Sequence, residues 1–403
     1  HTLQPTSNRD EVRTAISNVP VDLSGQEMMC QAVAKTLSLY RPYAQKARRQ
    51  MALILVTDES GDRPDNDRFL EQAIAEARAA QCRVYILGRE AVFGYPYAHM
   101  RWIHPQTKHH HWIAIDRGPE TAFVETLQTD GFHRRTDAHP SGFGPYEQTR
   151  LARETGGIFF LLPSIESDLI HGEKRRYVLE AMGPYLPDLR ARYELGLERD
   201  RSPLRNSLTK VIYDLNPYNP EAAKIIDMRT AFSPGLNALA MQAREEQLKA
   251  IVYLRYLAAA DEEVQRLLPL RERETNPRWQ ANYDLLAAQI VAYQARIYEY
   301  GAYLEYFVRS PKIVPPTKAS DLTHTHWSLG LRQELVAEEK SKPYVERAKG
   351  MFAAIVKAHP GTPWSARAEI ELRRGFGVHL GEVYEPPPVS LPPGTQLIPV
   401  PKL

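Results

Sequence analysis

The sequence predicts an α/β fold: a partial doubly wound parallel sheet, followed by an all-α part made of a helical hairpin and a repeat-like region. Three observations carry this. Residues 51–56, MALILV, form an uninterrupted apolar run ending in the polar TDESGD, as a parallel strand buried on both faces does where it leaves its sheet. Phe69, Leu70, Ala73, Ile74, Ala77 and Ala80 then recur at helical spacing, and 83–87 is a second short apolar strand closed by Gly88. Far downstream, 236–268 and 278–308 are two long helical stretches separated by the polar RERETNP, which predicts an antiparallel αα-hairpin.

The strand, helix and strand at 51–88 make a β-α-β unit. Its right-handed crossover puts loop 57–62 at the carboxyl edge of the sheet, where open α/β folds bind ligands. Upstream, 10–18 and 27–39 have helical spacing, with PVDLSG between them. Residues 89–135 read as an insertion in which AHMRWIHP and HHHWIAID are the arms of a β-hairpin. SGFGPYEQTRLARETGGIFFLLP then supplies a Gly-rich entry, Pro145 at the start of a helix, a Gly-Gly stop and a last strand over 158–162. The α/β part thus covers residues 1–165.

A Pro-, Arg- and Tyr-rich linking subdomain follows over 166–235, with a short helix at 204–215. In the hairpin of 236–310, Leu248, Ile251, Leu254 and Ala258 make one seam, facing Leu285, Ala288, Ala292 and Ala295 on the other helix. Residues 328–384 read as helices: Ala348, Phe352 and Pro360 have the spacing of a tetratricopeptide second helix, and one such unit must lean on the hairpin or on a partner to bury its face. The tail, 385–403, is extended and Pro-rich, with no core of its own.

Composition excludes several function classes. The 403 residues are 43% hydrophobic, enough for real cores, and 51 basic side chains nearly cancel 49 acidic ones, so no global field draws the chain to nucleic acid or membrane. No apolar run approaches the ~20 residues of a bilayer-spanning helix. Two cysteines, Cys30 and Cys82, exclude a disulfide framework and allow one bridge or two buried thiols, and the apolar pattern around each favours the thiols.

The order LILVTDESGD, helix, RVYILG, and a helix ending in ETGGIFFL resembles the closing half of a von Willebrand factor A domain, with SGQE, the His-rich insert and SGFGPY similar to bacterial members of that type. The resemblance covers residues 10–165. It implies a metal-ion-dependent adhesion site, in which a cation, usually Mg²⁺ and otherwise Mn²⁺ or Ca²⁺, leaves a coordination position for an acidic group of a partner protein. Asp58 matches the third loop of that site, and Glu27, within SGQE, stands where the family has Thr, with Ser24 the nearest hydroxyl. The first loop, D-x-S-x-S, occurs nowhere in the chain, and its strand would precede residue 1. Through the same resemblance a periplasmic or extracellular location is favoured.

The residues support a site without the family. A hard divalent cation takes oxygen ligands and retains waters, so Asp58, Glu27 and the Ser24 hydroxyl on adjacent loops suit a partial shell. The competing reading is local: Ser24 and Glu27 have the S-x-x-E spacing of a capping box, and Asp58 can cap the helix after its loop. His109, His110 and His111, opposite His99 and His104, offer imidazoles at alternate strand positions and hence a transition-metal alternative, that of a metal-dependent hydrolase. Surface histidines packed beside aromatics are the commoner outcome. No nucleophile elbow, H-E-x-x-H or P-loop is present, and SGFGP lacks the strand and Lys of a phosphate loop. The basic and aromatic mixture of 174–213 reads as a solvated face with Tyr turned inward. The sequence therefore favours a non-enzymatic interaction protein, with the helical region as scaffold and a structural protein with a vestigial site as a further alternative.

Overall fold

A computed structural model describes residues 6–20, 24–162, 169, 177–318, 321–387, 389–392 and 394–401. The readings that fall on 21–23, on the start of the linking subdomain up to Arg176, and on Pro388, Pro393, Lys402 and Leu403 lie outside the described residues. The chain is mixed α/β, about 51% helical, with a small parallel sheet.

Helices α1 (Arg9–Ser17) and α2 (Met29–Lys46) precede strand β1 (Ala52–Val56), helix α3 (Arg63–Ala79) and strand β2 (Arg83–Gly88). A hairpin of β3 (Tyr97–Ile103) and β4 (His110–Asp116) follows, then α4 (Tyr146–Glu154) and β5 (Phe159–Leu161). The parallel sheet runs β1-β2-β5, with Leu53 opposite Val84 and Leu87 opposite Phe160. Its covered face packs Val84 and Ile86 against Cys30, Val33 and Leu37 of α2, Ala73, Ile74 and Ala77 of α3, and Leu151 of α4. Cys30 and Cys82 are both buried and free.

The expectation that 51–56 is buried on both faces is corrected. β1 alternates, with Ile54 65% and Val56 69% exposed, and Ile158 and Phe160 are exposed beside them. Only one face carries helices among the described residues, and β1 is a free edge. A continuous apolar run fixes strand character but cannot tell which of its two faces is covered.

The remaining elements are α5 (Arg192–Arg201), α6 (Pro203–Asp214), α7 (Pro220–Ile226), β6 (Ala231–Phe232), α8 (Leu236–Arg266), α9 (Leu268–Arg273) and α10 (Pro277–Arg309). They continue with β7 (Thr317–Lys318), β8 (Leu322–Arg332), α11 (Glu338–Ala358), α12 (Pro363–Arg374) and β9 (Gly377–Glu385). α10 is the axis of this half: α8, α11, α12 and β9 pack on it, so Leu285, Ala288, Ala292 and Ala295 are all buried.

On α8 the predicted seam is displaced. Leu248 (64% exposed) and Ile251 face outward, and the inner row is Ala243, Glu246, Ala250, Tyr253, Leu257, Asp261 and Val264. Two acids sit in that row because each has partners: Glu246 accepts from Arg229 N at 2.9 Å and Tyr300 Oη at 3.1 Å, and Asp261 accepts from Arg347 at 2.7 and 2.8 Å. A satisfied buried acid defeats an apolar-row argument.

The helical reading of 328–384 also needs correction. Ala348 and Phe352 of α11 are buried against the hairpin, but 328–332 and 377–384 belong to β8 and β9, which pair antiparallel in a sheet with β6 and β7. Trp327 anchors that sheet edge-on to Phe307 of α10, with ring centroids 4.9 Å apart. The strands were missed because LTHTHWSLGLR runs through polar Thr and His before its short apolar alternation at Trp327, Leu329 and Leu331, and its partner lies beyond two helices in sequence.

The insertion joins the two halves. Phe93, Leu127 and Phe132 belong to the core centred on α10, Tyr293 donates from Oη to Thr129 O at 3.0 Å, and His139 pairs with Pro363 O at 3.2 Å. The tail is tied down as well: Gln106 accepts from Ile398 N at 2.8 Å and donates to Gln396 O at 3.0 Å.

Candidate functional site

Loop 57–62 leaves the carboxyl end of β1, and two neighbours hold its shape. Glu27 N donates to Asp62 Oδ2 at 3.2 Å while Asp62 N donates to Glu27 O at 2.8 Å, a reciprocal tie between the loops before α2 and before α3. Asn66 donates to the carbonyls of Ser60 and Gly61 at 3.1 and 2.9 Å. Gly61 is required here: its φ is +90°, and a Cβ would sit 3.0 Å from that of Met29.

On this frame the carboxyl edge gathers acids. Ser60 Oγ donates to Asp116 Oδ1 at 2.6 Å, Ser60 N to Asp116 O at 2.9 Å, and Asp116 N to Glu59 Oε2 at 3.2 Å, so the end of β4 is stitched to the loop after β1. Gln148 of α4 donates to Glu59 O, and Glu147 beside it meets Arg192 of α5. A cavity of about 170 Å³ opens here, lined by Ser60, Asp116 and Glu147 and by Arg63, Arg192 and Arg199.

The electrostatics follow from burial. Glu59 is only 8% exposed, and burial pushes its carboxyl up to about 7, against the pull of the Asp116 amide and with further upward push from Glu27, Asp58 and Asp116. Asp116 is raised to about 6 by burial, with Ser60 and the Gly118 amide pulling it back. Burial also raises Glu147 to about 7, opposed by Arg192. Because a folded-state value above the unfolded one favours the neutral acid, Glu147 costs stability as pH rises from about 4.5 through about 7. Glu147→Gln should therefore gain about 2 kcal/mol relative to the native chain on going from pH 5 to pH 8 in urea unfolding. Equal effects at the two pH values would remove this account.

The sequence-chosen donors lie on the two tied loops. Ser24, Glu27 and Asp58 are all exposed, and Glu27 and Asp58 both bear electrostatically on Glu59. The capping alternative is not what forms. Ser24 Oγ accepts from Gln26 N at 3.3 Å, and the start of α2 is capped across the fold by Asp65, which accepts from Cys30 N at 2.7 Å. Asp58 does not cap α3, whose N-cap is Asp62. Among the described residues no group of three or more His, Cys, Asp or Glu is placed to hold a metal ion. Ser24, Glu27 and Asp58 are thus exposed side chains on neighbouring loops, outside any such group.

Two of the hairpin histidines, His104 and His111, have structural contacts. His104 is buried, its Nε2 paired with Ile398 O at 2.9 Å and its Nδ1 accepting from the amides of Gln106 and Thr107 at 3.2 Å, so both ring nitrogens are taken. His111 packs tilted against Trp102, and His109 and His110 are exposed.

Sequence reasoning missed Glu59, Ser60, Asp116, Glu147 and Arg192. Asp116 ends the apolar arm HHHWIAID much as Asp58 follows MALILV, and a polar stop after a strand was the available signal. Compared with known proteins, the chain matches no family model, no curated sequence and no solved structure. No helix among the described residues is long and apolar enough to cross a membrane.

Proposed function

We propose that the chain is a non-enzymatic interaction protein of von Willebrand factor A type, which takes an acidic group of a partner protein through a divalent cation held at the carboxyl edge of its parallel sheet. One observation carries the reading: Asp58 is exposed two residues past the end of a parallel strand, and Glu27 is exposed on a loop tied to the same loop through Asp62. Mg²⁺ binds through one or two carboxylates with retained waters, which is what these two side chains and the Ser24 hydroxyl can offer. The rim is itself acidic, with Glu27, Asp58, Glu59, Asp62 and Asp116 close together, so a partner carboxylate is repelled unless a cation lies between. Mn²⁺ or Ca²⁺ can serve in the same way. The helical half, including the tetratricopeptide-like pair α11 and α12, supplies a scaffold. The outward stripe of Met241, Leu248, Val252 and Tyr256 on α8 supports a second docking surface.

Saturating Mg²⁺ or Mn²⁺ should raise the Tm of the full chain by about 2–4 °C, and Asp58→Ala should abolish the rise. No rise in the native chain, or the same rise in both proteins, sinks the cation-bridged reading.

A further inference from the structure

A second cavity, of about 450 Å³, lies between the insertion and the C-terminal half of α12, far from the loops described above in sequence and built from different elements. Its walls include Arg367, Arg373 and Arg374 of α12, with His133, Asp130 and Asp137 facing them from the insertion. Behind the wall are Arg135, which meets Asp137 at 3.0 Å, and Arg296, which meets Glu371 at 2.8 Å. Five guanidiniums therefore surround three carboxylates. Asp137 is shared between Arg135 and Arg367, Glu371 between Arg296 and Arg367, and Asp130 reaches Arg374 only at 3.5 Å. Arg373 has no ion pair among the described residues and is exposed at the mouth.

The buried guanidiniums of Arg135, Arg296 and Arg367 already have Asp137 and Glu371, so the charge left over is that of Arg373 and the loosely paired Arg374 at the cavity, and an anion is its complement. The end of a helix would ordinarily oppose this, because its carbonyls carry negative partial charge. Here those carbonyls are occupied: Gly375 O accepts from Arg296 at 3.2 and 3.0 Å, and Leu372 O and Arg373 O accept from Gln333 at 3.2 and 3.0 Å. The volume falls within the range of small-ligand pockets. Adjacent guanidinium forks with an imidazole beside them match the oxygens of a phosphate group.

We infer that this cavity binds a small phosphate-bearing molecule, held by Arg373 and Arg374 with His133 beside them. The site is independent of the cation-bridged interaction proposed above. Inorganic phosphate is the probe, titrated calorimetrically into the full chain at pH 7 and constant ionic strength, with succinate in parallel. Expected are a saturable heat with phosphate, a loss of affinity of about ten-fold or more in Arg373→Ala, and no change in Arg13→Ala, a control on exposed α1. Arg373 is exposed, so its replacement leaves the fold intact, which thermal melting checks directly. Absence of phosphate heat, equal affinity in Arg373→Ala, or tighter binding of succinate than of phosphate overturns the assignment.

Discussion

Replacing Glu371 by Gln should lower the stability of the chain by about 3–5 kcal/mol, among the largest single-site losses available to it. Glu371 and Arg296 are both fully buried, and Arg296 has no other carboxylate among the described residues: it meets Oε2 at 2.8 Å as an ion contact, with its hydrogen bonds going to Gly375 O and, at 3.4 Å, to Asp130 O. Arg367, also buried, donates to Glu371 Oε1 from Nε at 3.1 Å and keeps Asp137 as a second partner. Removing the charge leaves the Arg296 guanidinium uncompensated in the core. The double replacement Arg296→Met with Glu371→Leu should recover most of the loss, because the charge and its partner leave together. A double variant as unstable as the worse single variant would show that packing, and not charge pairing, sets the cost.

The same acid gives the chain an acid limit. Burial alone would raise the Glu371 carboxyl, but Arg296, Arg367 and Arg374 outweigh it and hold it at about 2. Asp137 is held well below the usual carboxylate range by Arg135 and Arg367 against the same burial. Since these folded-state values lie below the unfolded ones, their stabilisation is complete above about pH 5 and is lost as pH falls towards 2. Glu371→Gln should flatten that part of the profile.

Arg278→Met should cost a similar amount, about 3–5 kcal/mol, and loosen the contact between the two halves. Arg278 begins α10, is buried, and meets Glu120 at 2.7 Å and Glu125 at 2.6 Å, while its Nη1 donates to Tyr185 O at 3.2 Å. Glu120 is itself fully buried and otherwise accepts from Gly94 N at 3.0 Å. Without Arg278 two carboxylates are stranded at the junction of insertion and hairpin. Urea unfolding reads the loss, and a variant within about 1 kcal/mol of the native chain would mean that water reaches the pair.

What was legible in the sequence was local. The strand at 52–56 with its polar exit, the helix after it, the glycine pair before β5 and the two long helices each rest on a periodicity or a stop within one window. Asp58 and Glu27 could be placed on neighbouring loops for the same reason. What stayed hidden depends on partners remote in the chain. Ser60 and Asp116, Arg278 and Glu120, and Arg296 and Glu371 become pairs only once the fold is made, and Glu246 and Asp261 look like surface residues until their donors arrive. β8 and β9 were lost on similar grounds, since a strand of mixed polarity is defined by its neighbour.

The bare face and free edge of β1 bear on how the molecule yields. α10 is packed by α8, α11, α12 and β9, whereas among the described residues β1 is held by one neighbouring strand and one layer of helices. Subglobal opening, and with it amide exchange, should begin at β1 and reach α10 last. The loops proposed to read a partner are thus mounted on the least cooperative part of the protein, and a ligand or strand added at that edge should be felt first as added order at Asp58.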